Sequence, residues 1–72
     1  MSLFEFAERY NLTEGYRADD VGVIVGPFGR ITGEGEESSE FILWVDGAGD
    51  DYFFDPNNPT DAMAALKLIG LR

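Results

Sequence analysis

Residues 41–55 read FILWVDGAGDDYFFD. Two runs rich in large apolar and aromatic side chains stand on either side of a spacer built from Asp, Gly and Ala. Such runs favour extended backbone, and a Gly-rich spacer between them signals a β-hairpin. Side chains alternate between the two faces of a strand. One face of the hairpin then carries Phe41, Leu43, Val45, Tyr52 and Phe54 and reads as core. The other carries Ile42, Trp44, Asp46, Asp51, Phe53 and Asp55, a mixture of large apolar groups and carboxylates. Symmetrical pairing about the DGAG turn sets Val45 opposite Tyr52, Trp44 opposite Phe53 and Leu43 opposite Phe54.

The rest of the chain supplies what would cover the core face. In residues 2–11, Ser2 and Glu5 have capping-box spacing, and Leu3, Phe6, Ala7 and Tyr10 recur at helical spacing. The stretch LTEGYRADD reads as a linker. VGVIV (21–25) is β-branched and apolar, hence a strand. GPFG (26–29) follows as a turn, with Gly29 free to take a positive φ, and RIT (30–32) returns as a second strand. GEGEESSE (33–40) reads as an exposed loop. PNNP (56–59) ends the sheet, and Thr60 is placed to cap a last helix whose apolar side is Ala62, Met63, Leu66 and Ile69. Gly70 stands at the expected C-terminal cap. The fold class is α+β: one domain over residues 1–72, in the order α-β-β-β-β-α. Its antiparallel sheet has three or four strands, with both helices packed on one face.

Charge is distributed unevenly. The chain has 14 acids and 5 bases, a net charge of −9. Every acid from Ile31 to Leu66 stands without a base in that segment: Glu34, Glu36, Glu37, Glu40, Asp46, Asp50, Asp51, Asp55 and Asp61. This segment alone carries a charge equal to the whole net charge, and the remainder is balanced. The field it creates disfavours direct binding to nucleic acid or anionic lipid and favours a cationic partner surface. With 44% hydrophobic and 14% aromatic residues the chain is too apolar to be a solvated tail. The acidic start MSLFEFAERY does not read as a signal peptide, and no apolar run approaches the length of a membrane span. The expected location is the cytoplasm.

There is no cysteine and no histidine. That removes disulfides, thiolate metal sites, the commonest zinc ligand and the commonest general base. Asp46, Asp50 and Asp51 offer three oxygen ligands, but the calcium-loop pattern fails at Ala48 and at Asn57, so a hairpin turn with acidic edges is the expected reading. GPFGRITG lacks the Lys and Ser/Thr of a phosphate loop. Carboxylate pairs without a cleft have no desolvated site in which to work as acid and base. A non-enzymatic protein with no cofactor and no metal is expected.

Clustered like charges repel, and solubility needs fewer of them, more evenly spread. A domain of this length has a diameter of roughly 30 Å. Duplex DNA of that length carries on the order of 17 phosphates, about half of them on one side, which is comparable to the nine acids of residues 31–66. In size, in charge and in the segments GEGEESSE and DGAGDDYFFD, the chain resembles the phage-encoded DNA-mimic inhibitors, among them anti-CRISPR and anti-restriction proteins. That resemblance implies an acidic protein that blocks the nucleic-acid site of a basic protein or complex, such as a bacterial CRISPR-Cas defence complex. The expected binding residues are Glu34, Glu36, Glu37, Glu40, Asp46, Asp50, Asp51 and Asp55, with Trp44 and Phe53 between them. The alternative is a general protein-interaction module centred on Trp44 and Phe53, with the acids as a soluble rim. VGVIVGPFGRITG and FILWVDG are also similar to SH3-like small barrels, although barrels that bind nucleic acid are basic. A monomer or weak dimer is expected.

Overall fold

A computed structural model describes residues 1–16, 22–33 and 40–72. Helix α1 spans Leu3–Arg9, followed by β1 (Glu14–Tyr16), β2 (Gly22–Gly26), β3 (Gly29–Gly33), β4 (Phe41–Val45), β5 (Tyr52–Phe54) and α2 (Pro59–Leu68). The strands form one antiparallel sheet in sequential order, β1-β2-β3-β4-β5. The expected helix, four strands and helix are all present. The addition is β1, inside the stretch expected to be a linker. It has no apolar alternation to announce it and forms by pairing Glu14, Gly15 and Tyr16 with Ile24, Val23 and Gly22.

Both helices pack on one face of the sheet. The Ser2 hydroxyl accepts from the Glu5 backbone N–H at 3.1 Å, and the Glu5 carboxylate accepts from the Ser2 N–H at 3.2 Å, completing the capping box. The cap of α2 is Asn58 rather than Thr60. Its side-chain oxygen accepts from the backbone N–H groups of Thr60 and Asp61 at 3.0 and 3.3 Å, and Pro59, which has no N–H to satisfy, takes the first helical position. The two helices end alike. Asn11 (φ 56°) and Gly70 (φ 83°) turn the chain left-handed, and the next N–H groups reach back, Leu12 to Ala7 at 2.8 Å and Leu71 to Leu66 at 2.9 Å. This termination satisfies helix-end carbonyls and folds an apolar residue back over the core. Leu12 and Leu71 both pack there.

The core lies between the helices and the inner sheet face. It joins Phe6 and Ala7 of α1, Ile24, Ile31, Phe41, Leu43 and Phe54 of the sheet, and Ala62, Ala65, Leu66 and Ile69 around α2. Phe6, Phe41 and Phe54 meet edge to face, with centroids 5.5 to 6.0 Å apart. At the β2–β3 turn the sheet and the end of α2 are in near contact. A Cβ on Gly29 would lie 2.1 Å from the Trp44 carbonyl oxygen, and one on Gly26 2.4 Å from that of Ile69. Gly29 is therefore required for close approach. Its φ is not positive; among the described glycines only Gly47 and Gly70 are.

The β4–β5 register differs from symmetrical pairing by two residues. Leu43 faces Tyr52, Ile42 faces Phe53 and Phe41 faces Phe54. The last pair is Leu43 with Tyr52, so residues 44–51 lie between the paired residues, two more than the 46–51 that symmetrical pairing encloses, and Trp44 and Val45 pair on the β3 side alone. An even slip preserves the faces, because side chains repeat every second residue. Phe41, Leu43 and Phe54 are buried as expected, and Val45 is half-buried. Tyr52 shares their face but stands on the edge strand beside the loop, where it remains 50% exposed.

A candidate interaction face on the outer sheet and its acidic edge

The outer face is defined by alternation and register. Val25, Arg30 and Trp44 form one row across β2, β3 and β4; Val23, Thr32, Ile42 and Phe53 form the next. Burial varies along each row. Val23 and Thr32 are buried, and Ile42 and Trp44 are half-buried, whereas Val25 is 65% and Phe53 55% exposed.

Trp44 does not face Phe53. Across the β3–β4 ladder it faces Arg30, whose guanidinium carbon stands 4.9 Å from the ring centroid. Its indole N–H donates to the Thr32 hydroxyl at 2.8 Å. The cation over the ring and the hydrogen bond at its edge hold the indole down against the sheet. Phe53 is the exposed aromatic of the expected pair, whereas Trp44 is half-buried against Arg30 and Thr32. Arg30 and Thr32 were not among the residues expected at the site. The only sequence signal for them was alternation in RIT, and placing them beside Trp44 needs the β3–β4 register, which depends on the intervening loop.

The carboxylates gather at the two ends of the β4–β5 hairpin. Asp46, Asp50 and Asp51 are exposed in the loop at one end. That loop is anchored by the Asp46 N–H donating to the Phe28 carbonyl at 2.8 Å, by the Ala48 N–H donating to the Val45 carbonyl at 3.1 Å, and by Gly47 at φ 80°. At the opposite end, Phe41 pairs with Phe54, so the exposed Glu40 and Asp55 enter and leave the sheet side by side. One oxygen of Asp55 accepts from the Asn57 N–H at 2.9 Å and shapes the turn into α2. Glu34, Glu36 and Glu37 lie outside the described residues. Among the described residues, no three acids come close enough to hold a metal ion. No described helix is long and apolar enough to cross a membrane.

The resulting surface has an apolar and aromatic centre with carboxylates at both ends of one hairpin, separated by about five residues of strand, roughly 16 Å. Such a surface can bind cations and apolar side chains together. No protein-family model, curated protein or solved structure matches the chain.

Proposed function

We propose that this is a non-enzymatic acidic binding protein that occupies the basic nucleic-acid site of a protein partner and excludes nucleic acid from it. The observation that supports this reading is the unbroken acidic segment 31–66. It contains no base, and each of its described acids (Glu40, Asp46, Asp50, Asp51, Asp55 and Asp61) is exposed. The long dimension of the molecule, 29 Å, is that of a short duplex segment. The resemblance to phage DNA-mimic inhibitors points to a defence complex such as CRISPR-Cas as the partner and to the host cytoplasm as the place of action.

The test uses the heparin-retained fraction of a bacterial lysate, passed over the immobilised protein at rising salt with and without excess duplex DNA. Capture through phosphate mimicry should fall steeply with salt and be lost to competing duplex. Joint Glu→Gln replacement at Glu34, Glu36, Glu37 and Glu40 should slow association more than the same number of neutralisations at Glu5, Glu8, Glu14 and Asp19. A second reading, a general interaction module, is favoured by one feature, the exposure of Phe53 and Val25. Capture that resists both salt and duplex but disappears with Phe53→Ala would replace the mimicry reading with this one.

A further inference from the structure

An antiparallel sheet in sequential order has two open edges, and β5 is one of them. Beyond the ladder to β4, no backbone hydrogen bond reaches Tyr52, Phe53 or Phe54 among the described residues. A strand edge in this condition is a template for another extended chain. Its side chains say which chain fits. β5 itself is Tyr52–Phe54, with Phe53 on the outer face, and Asp51 and Asp55 flank it, each two residues from Phe53, so the edge offers an acid, an aromatic and an acid in line. All three are exposed, and among the described residues no ion pair engages Asp51 or Asp55.

The same line argues against a second copy of this chain. Antiparallel self-pairing centred on Phe53 would set Asp51 against the copy's Asp55 twice, and like charges directly opposite are destabilising. Parallel self-pairing brings equivalent acids together. A strand carrying Lys or Arg on either side of an apolar residue, at alternate positions, meets both carboxylates and the Phe53 ring. We infer that β5 is a docking edge for an extended segment of a protein partner with the pattern cation, any residue, apolar, any residue, cation, which adds as a sixth strand. The inference rests on the reading above for the sign of the partner's charge and adds the mode of attachment.

The probe is the peptide acetyl-Thr-Lys-Thr-Val-Thr-Lys-Thr-amide, whose symmetry allows either strand direction. It is titrated into the full chain by calorimetry, with amide hydrogen exchange followed at Tyr52–Phe54. Two further peptides carry N-methyl groups on alternate residues, one in each phase, so that one of them blocks the hydrogen bonds facing β5. Binding should protect amides of the 52–54 edge. Methylation in one phase should weaken binding by at least about tenfold, the equivalent of losing one or two net hydrogen bonds. Replacing Lys by Glu in the peptide should abolish binding, and Asp51→Asn with Asp55→Asn should weaken it several-fold. Asp55→Asn retains an acceptor for the Asn57 N–H. Equal binding of both methylated peptides, or of the Glu peptide, overturns the inference. So does a peptide-free dimer with the same amides protected, because the occupant would then be a second copy. Failure here with duplex-sensitive capture intact leaves the mimicry reading standing; peptide pairing with capture that ignores duplex DNA removes that reading and leaves the edge.

Discussion

Phe53 and Phe54 are chain neighbours with identical side chains and opposite fates, one 55% exposed and the other 7%. Strand alternation sends them to different faces, and only the inner face has helices over it. There, Phe54 meets Phe6 and Phe41. Outside, Phe53 has Ile42 beside it and solvent above. Hydrophobicity alone does not decide which face becomes the core; the amphipathic helices do. The inner face holds the packed core, and the outer face leaves Phe53 and Val25 exposed.

The sharpest way to break this comparison is to truncate each phenylalanine. Phe54→Ala and Leu43→Ala should each cost about 2–5 kcal/mol in chemical denaturation, because each empties a packed site. Phe53→Ala should change stability by only about 0.5 kcal/mol. Equal losses at 53 and 54 would show that Phe53 is packed as tightly as Phe54. A smaller effect tests how closely the inner face is closed at the β2–β3 turn. Gly29→Ala drives a methyl group into the Trp44 carbonyl and should cost about 1–3 kcal/mol. Gly49→Ala, which meets nothing within 4 Å, should be near neutral in the same chemical denaturation.

On the outer face, Trp44→Phe keeps an aromatic ring but removes the donor to the hydroxyl of Thr32, a residue only 4% exposed. The expected loss is about 1–2 kcal/mol, and a variant with parental stability would mean that this indole is not fixed. A further effect concerns α1, which covers part of the inner face. Ser2→Ala should cost about 1 kcal/mol. The Ser2 backbone N–H, and after it the Ser2 hydroxyl, hold the Glu5 carboxyl below its ordinary value of 4.5. A lowered carboxylate contributes stability that is present above pH 4.5 and lost as pH falls through the lowered value. Stability curves of the parent and Glu5→Gln should therefore converge in acid and separate toward neutral pH. Parallel curves would show that the box does not form in solution.

Much of the fold was legible because local signals agreed with one another. The capping box of Ser2 and Glu5, the left-handed cap at Gly70, the β-branched run at 21–25 and the hairpin at 41–55 each have a short-range cause. What was missed depends on distance. Glu14–Tyr16 is a strand only because β2 offers it an edge. The pairing of Leu43 with Tyr52 rather than Phe54 leaves eight residues, 44–51, between the last paired residues where symmetrical pairing leaves six, because Trp44 and Val45 pair on the β3 side alone. Thr60 was a plausible cap until Pro59 at the first helical position placed the cap at Asn58. At the site, alternation put Ile42, Trp44 and Phe53 on one face, but nothing local marked Arg30 and Thr32 as the partners that hold Trp44 down. The acidic character of the hairpin ends at Glu40, Asp46, Asp50, Asp51 and Asp55 was readable directly from composition.

The sequential strand order also has a consequence in time. Each ladder joins strands that are neighbours in the chain, so every hairpin can close over a short loop without waiting for a distant segment. The inner face has the opposite requirement. Phe6 comes from one terminus and Ile69 from the other, and the Arg72 guanidinium reaches across the molecule to the Tyr10 carbonyl. Pairing is a local process and core closure a global one. A nascent or partly unfolded chain can therefore carry hairpins, including the β4–β5 edge, before the helices arrive to cover Phe41, Leu43 and Phe54. During that interval the charges flanking β5 would protect the chain against aggregation, because they discourage two unfinished copies from joining edge to edge.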